Sequence, residues 1–196
     1  MNKRQSSVQN LALTALMAAL CYIGFTFFKI NIPVGEGSTA IHFGNTFCVL
    51  AALMLGGVQG GLAGAIGMGI GDLLDPLYVT SFPKTFILKF CIGLCAGFVA
   101  KKVGLSQIKD QKQLTKYTVL SCVAGMAFNV LGEPIVSYFY SNFILGVDSE
   151  VAKIFMAWTA GTTLFNAMTS VIIASSLYLA LRKALKNSNL GQSIFR

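Results

Sequence analysis

The chain has 196 residues, 55% of them hydrophobic and only 11% charged, with a mean hydropathy of +0.69. Soluble domains carry about 25% charged residues, so this composition excludes a soluble enzyme and points to one membrane domain over residues 1–196. The formal charge of +8 does not indicate a nucleic-acid partner, because the basic residues lie between apolar segments, where they set topology.

Met1–Asn10 is polar and holds Lys3 and Arg4. Leu11–Phe28 is predicted as the first spanning helix, near the ~20 apolar residues a bilayer requires. It is too long for the core of a signal peptide and no convincing small-residue cleavage site follows, so no cleaved leader is expected. Lys29–Ala40 reads as a loop rich in turn residues, and Ile41–Leu55 as the second helix. The third is the glycine run that ends in Asp72, set off from the second only by Gly56 and Gly57. Asp75 to Pro83 forms a second loop, Lys84–Ala100 the fourth helix, and Lys101–Lys116 a basic, polar connector. Tyr117–Ile144 and Val151–Leu181 are the fifth and sixth helices, long enough to tilt or protrude. The expected fold is an all-α integral membrane protein, a compact bundle of six transmembrane helices. A re-entrant pairing of the short second and third helices is the alternative.

Glycine inside a helix costs about 0.5–1 kcal/mol relative to alanine, so its density in the third helix requires a compensation. Gly60, Gly64, Gly67 and Gly71 follow steps of four, three and four, which places them on one helix face. Small residues on such a face let helix backbones approach closely in lipid. The third helix is therefore expected at the centre of the bundle.

Orientation follows from Lys and Arg. With the N-terminus inside, Lys3, Arg4, Lys101, Lys102, Lys109, Lys112, Lys116, Arg182, Lys183, Lys186 and Arg196 fall on the cytoplasmic side. Only Lys29, Lys84, Lys89 and Lys153 remain, so eleven of the 15 basic residues obey the positive-inside rule. Both termini are expected in the cytoplasm.

Ionisable groups in spanning helices cost about 2.5–3.5 kcal/mol on insertion scales, so each is a functional candidate. Here they gather toward the outer half: His42, Asp72, Lys84, Lys89 and Glu133, joined by the amides of Asn45, Asn129 and Asn166, with Trp158 beside a stripe of Thr159, Thr162 and Thr163. Asn129, Glu133 and Ser137 lie at steps of four along one helix face. Pro134 cannot donate its helix hydrogen bond, and broken backbone at membrane depth is tolerated beside a cavity. In the bland reading these groups only pair with one another as interhelical glue, Lys89 with Glu133 or Asp72. For Trp158 alone an interfacial belt role competes with ligand stacking, and His42 is equally well an interfacial histidine. The number of groups on one side favours a pocket. Mixed charge signs, amides and aromatics (Trp158, Tyr138 and Tyr140) suit a small polar heteroaromatic molecule better than an inorganic ion, which wants rings of carbonyls or carboxylates.

Gly69-Ile70-Gly71-Asp72 spells the G-x-G-D of intramembrane aspartyl proteases, but that chemistry needs two carboxylates sharing a proton. The other aspartates, Asp75, Asp110 and Asp148, fall in loops or helix ends. His42 lacks a Gly-x-Ser-x-Gly partner, and the chain has no phosphate-binding loop for ATP. No enzyme is expected. Cys91 and Cys95 share a face, but without histidine partners they make a weak metal signal; with Cys21, Cys48 and Cys122 they read as small buried hydrophobes. No metal or cofactor is expected.

On the first helix Ala15 and Ala19 form an A-x-x-x-A, with Ala12 on about the same face, a surface on which a partner's helix can pack. Internal packing is the alternative. With this motif in place, the chain resembles the S component of an energy-coupling factor (ECF) vitamin importer along nearly its whole length. The order Ala40-Ile-His-Phe-Gly-Asn45, Gly71-Asp72, then Thr85-Phe-Ile-Leu-Lys89 followed by Gly93 and Gly97 resembles the hydroxymethylpyrimidine/pyridoxine/riboflavin-type subgroup.

The resemblance implies a substrate-binding subunit of the bacterial cell membrane. Its Ala12, Ala15 and Ala19 would face the coupling T component, which in turn binds two ATPases. It also implies an outward pocket with Ile32–Thr39 as a lid, flexible at Gly35 and Gly37. Vitamin B6 or hydroxymethylpyrimidine is the leading substrate, with riboflavin and pantothenate next. A structural or assembly membrane protein without ligand, and a stand-alone secondary transporter, are the competing classes.

Overall fold

Twelve residues, apolar but for Asn45 and Thr46 in the first turn, form the most enclosed helix among the described residues. α2 (Gly44–Leu55) buries ten of its twelve residues, as expected of a helix that is apolar nearly all round. The structure, a computed structural model, describes residues 3–35, 37–185, 188, 191 and 194. Lys186 and Arg196 of the charge count, and Glu36 of the first loop, lie outside the described residues. Around α2 stand α1 (Lys3–Thr26), α3 (Gly57–Leu74), α4 (Phe82–Lys102), α5 (Gln111–Phe139) and α6 (Ser149–Leu185). The sequence-based expectation put the third helix at the centre; the second holds that place, because α3 keeps Ile66, Ile70 and Leu73 exposed along one side.

The first loop is not a loop. β1 (Lys29–Val34) and β2 (Gly37–His42) pair antiparallel from Lys29↔His42 to Val34↔Gly37, so the fold is helical with one hairpin rather than all-α. Ile30, Ile32 and Val34 carry the alternating pattern of a strand. Pro33 argues against a central strand but is tolerated at an edge. Gly35 opens the turn at φ +60°, where glycine is unstrained.

Six helices are present among the described residues. Four of them, α1 and α4 to α6, are long and apolar enough to cross a membrane. α2 rises only about 18 Å over its length, short of a hydrocarbon core of about 30 Å. In α3 the glycines dilute the hydropathy. Helix ends also differ from expectation. α5 starts at Gln111 inside the supposed connector, where the Asp110 carboxylate accepts from the Gln113 amide at 2.9 Å, a capping pattern visible in Asp110-Gln-Lys-Gln113. It runs without interruption through Pro134 and ends in a π-helical turn, Tyr140–Ile144. The Arg182 guanidinium ties the α4–α5 connector to α6 through the carbonyls of Leu105, Ser106 and Ile108 at 2.6–2.8 Å.

The glycines of α3 serve three neighbouring helices. A side chain at Gly60 would overlap the backbone of Ala52, and one at Gly64 would overlap Cys48, both in α2. At Gly67 and Gly71 it would meet Ala18 and Phe25 of α1. Gly57 and Gly61 oppose Gly97 and Gly93 of α4, backbone on backbone. Dispersion at such short range supplies the attraction that hydrophobic burial cannot supply in lipid. Gly93→Val should therefore lower the melting temperature in detergent by the equivalent of about 1–3 kcal/mol or more. Gly161→Ala, where nothing lies within 4 Å of the added carbon, should change it negligibly. Equal melting temperatures for both variants would refute the close-packed seam.

Candidate functional site

The site is built around one carboxylate. Glu133 of α5 accepts from Lys84 Nζ on Oε1 at 3.0 Å and from Lys89 Nζ on Oε2 at 2.9 Å. Lys84 also donates to Ser137 Oγ at 3.0 Å, and Lys89 to Asn129 Oδ1 at 3.3 Å. Steps of four along α5 bring Asn129, Glu133 and Ser137 onto one face. The long lysine arms from the first two turns of α4 converge on it although their Cα atoms point apart. All five residues are buried or nearly so. Asp72, at the last turns of α3, is 1% exposed and leaves its Oδ2 without a protein partner. The four charges, two positive and two negative, sum to zero.

The hairpin closes one end of the site. Asn166 of α6 treats β2 as a sheet edge: its Oδ1 accepts from the His42 amide at 3.0 Å and its Nδ2 donates to the Ala40 carbonyl at 2.9 Å. Thr39 and Thr162 hydroxyls meet at 2.7 Å. The His42 ring stacks edge-on against Phe25 at 4.8 Å between centroids, and its Nδ1 accepts from the Gly44 amide at 3.2 Å. That bond assigns the proton to Nε2.

On the other flank Lys29 Nζ pairs with Asp75 Oδ2 at 2.5 Å and lies over the rings of Tyr78 (4.5 Å) and Phe25 (5.1 Å). The Tyr78 hydroxyl donates to Asn31 Oδ1 at 3.0 Å and pairs with Ser38 Oγ at 3.0 Å. Burial alone would raise the Asp75 carboxyl. The hydrogen bonds from Lys29 and the Leu77 amide, with the Lys29 charge, outweigh it and hold the group below its ordinary range.

Between hairpin and network lies a narrow cavity, about 60 Å³ for the centres of water-sized spheres. It is lined by residues from all of these elements, Asn45, Asp72, Lys84, Lys89, Asn129 and Glu133 among them. Residues 5–183 match the family of the ECF-type riboflavin transporter S component. The chain belongs to that family.

As a member of this family it is a multi-pass membrane protein and a vitamin-binding subunit; S components work with a T component and ATPases. Solved structures with the same fold include ThiT from Listeria monocytogenes, at 19% identity and TM-score 0.65 over 93% of this chain and 98% of that one. Another is the S component for biotin from an ECF-type ABC transporter, at 18% identity and TM-score 0.61 over the whole of both chains. At such identities these likenesses establish the fold alone. No curated protein matches the sequence.

Of the predicted site residues, His42, Asn45, Asp72, Lys84, Lys89, Asn129, Glu133 and Asn166 come together around the S-component cavity. Trp158 does not: it is 53% exposed on the outer side of α6, beside Ile32, Ile41 and Phe165. It precedes Thr159 by one residue, a 100° turn of the helix, which carries its ring off the cavity face. Tyr138 and Tyr140 do not line the cavity either, and Tyr140 instead donates to the Thr80 carbonyl at 2.7 Å. The aromatics that line it are Phe25, Tyr78 and Phe155. None carries a charge or motif that marks it in sequence. Ser38, Thr39 and Thr85 also line it; the sequence marks the first two only as part of the lid segment and Thr85 only through its Thr-x-x-x-Lys spacing to Lys89. Asn166 joins the site as a clamp on the hairpin, with both amide atoms engaged by backbone. Ala12, Ala15 and Ala19 lie together on the exposed face of α1, while Thr14, Met17 and Cys21 face inward.

Glu133→Gln removes the carboxylate that both buried ammonium groups bond and leaves only Asp72 as a negative charge in the site, so it should destabilise the protein by about 3–5 kcal/mol. Adding Lys84→Met should recover part of that loss, measured as thermal unfolding in detergent; no recovery would count against the shared-carboxylate arrangement. Asp75, with its depressed carboxyl, contributes stability that is complete above its unfolded pKa of about 3.9. That contribution is lost as pH falls through the lower folded value. The melting-temperature gap between wild type and Asp75→Asn should therefore be constant near neutral pH and close only in acid.

Proposed function

We propose that this chain is the high-affinity binding subunit of an ATP-driven importer in the bacterial plasma membrane. Its ligand in this reading is a single-ring heteroaromatic vitamin, vitamin B6 or hydroxymethylpyrimidine. The observation that carries the substrate choice is the cavity itself: small, and bounded by Lys84, Lys89, Glu133, Asp72 and the amides of Asn45 and Asn129. Polar groups this close together match a small ring with several hydrogen-bonding substituents. A tricyclic flavin needs more room and more apolar wall. Riboflavin is the second reading, favoured by the description of the matching family; it requires the hairpin to lift and the cavity to widen.

In this reading all six helices cross or enter the bilayer with both termini in the cytoplasm, as the distribution of Lys and Arg supports. Ala12, Ala15 and Ala19 offer the T component a surface of small side chains on α1, and two ATPases act through that component. The hairpin serves as the lid.

The protein purified in detergent should carry one of these vitamins, identified by mass spectrometry, and titration calorimetry should give sub-micromolar binding. An absence of co-purified ligand, together with no thermal shift from any vitamin tested, would overturn the reading. Ala15→Trp should abolish assembly with the T component and leave vitamin binding intact, checked by co-purification and calorimetry on the same sample. Loss of binding as well would assign Ala15 to internal packing.

A further inference from the structure

The hydrogen bonds that the cavity does not satisfy describe what its ligand must bring. Glu133 has both oxygens engaged by lysines, and Asn129 Oδ1 accepts from Lys89. Both amide atoms of Asn166 are engaged by the hairpin backbone. Among the described residues, the buried side-chain atoms without any partner include three that belong to cavity-lining residues: Asp72 Oδ2, Asn45 Oδ1 and Thr159 Oγ1. Asp72 and Asn45 are each 1% exposed, so bulk water does not relieve them.

Two of the three atoms are pure acceptors, and one belongs to a carboxylate. A buried acceptor left unpaired costs about 1–3 kcal/mol, and more when charged. Asn45 sits at the start of α2 beside Gly44, which packs on Met68, one turn before Asp72. The residues that carry the two acceptors thus flank the same α2–α3 seam, and both line the one cavity.

We infer that Asp72 and Asn45 form an amine-recognition subsite, which accepts hydrogen bonds from an N–H-bearing substituent on the ligand's ring. This rests on the proposed vitamin-binding function and narrows its substrate class. The charges agree with it. Lys84, Lys89, Glu133 and Asp72 already balance, so a neutral amino group leaves the site neutral. A carboxylate ligand would add an uncompensated negative charge beside Asp72. The inference therefore selects amino-substituted rings and disfavours anionic vitamins. 4-Amino-5-hydroxymethyl-2-methylpyrimidine meets the requirement with a neutral ring amine; among the B6 forms pyridoxamine brings N–H donors on an aminomethyl group that is protonated at neutral pH and would pair with the Asp72 carboxylate.

The test uses two ligand pairs, each titrated into the full-length protein in detergent. The first is the aminopyrimidine and its 4-oxo counterpart, which presents a carbonyl oxygen where the other has an amino group. The second is pyridoxamine and pyridoxal. In at least one pair the amino member should bind about 10–100-fold more tightly, the equivalent of one hydrogen bond to a charged acceptor. Asp72→Asn keeps the shape and supplies a donor, so it should weaken the amino member and strengthen the carbonyl member. A general structural defect would weaken both alike.

Equal affinity within both pairs overturns the subsite, as does a parallel loss in Asp72→Asn. So does tight binding of riboflavin or pantothenate with none from either pair, an outcome that leaves the chain a vitamin-binding subunit. If Asp72→Asn does not fold, the wild-type comparison decides alone. No binding of any vitamin would instead reject the proposed function.

Discussion

Two lysines and one glutamate, buried together where α4 meets α5, set the terms for the rest of the molecule. Placing a charge in a membrane interior is costly, and a buried ammonium with no counter-ion costs more than the pair gains when formed. Glu133 meets this by dividing its two oxygens between Lys84 and Lys89. Ser137 and Asn129 take up further lysine protons. The arrangement fixes the rotation of α4 against α5, because any other rotation strands at least one charge. It also leaves Asp72 as the remaining charge in the cavity, with one oxygen unpaired.

Two kinds of contact hold this centre, and they differ in stiffness. The α1–α2–α3–α4 wall is a set of backbone-to-backbone seams at glycine, with Gly61 against Gly93 and Gly57 against Gly97. Seams of this kind have no slack, since neighbouring atoms are already at contact. The hairpin, by contrast, is held at discrete polar points. These are the Asn166 amide, the Thr39–Thr162 pair, the Lys29–Asp75 ion pair and the Tyr78 hydroxyl. Its outward residues Ile30 and Asn31 are exposed. Elements with few buried apolar contacts open at the lowest cost. The close-packed wall carries Lys84, Lys89 and Asp72, and the hairpin, the lid in the proposed function, is tied to the bundle by a handful of hydrogen bonds and one ion pair.

The family relationship and the chemistry stand on different supports. Family membership follows from a match over residues 5–183, and the fold is shared with proteins at 18–19% identity. At that distance a fold hosts many ligands, and the choice among them lies in a few side chains. In the function proposed for this chain those are Asp72, Asn45 and the Glu133 network.

Composition, hydropathy and charge were enough to read a polytopic membrane protein with its ionisable groups gathered at one end. These are one-dimensional properties: an apolar run longer than a soluble helix needs, or a lysine that breaks such a run, means the same whatever its neighbours. The face shared by Asn129, Glu133 and Ser137 was legible too, because helical periodicity is local. What depended on the tertiary structure was which groups face one another. The hairpin was hidden because two short strands capped by a proline carry little local signal, and Asn166 completes their edge from 124 residues away. Trp158 and Asn166 lie on one helix, yet packing sent the first to the lipid side and the second to the hairpin. The glycine run announced close packing but not its partners, since a missing side chain is complementary to any backbone that can reach it. Asp72 was visible as a charge from the start. That it keeps an unpaired acceptor emerged only when the lysines were seen to choose Glu133, because which acid a flexible lysine reaches is decided by where the helices are packed.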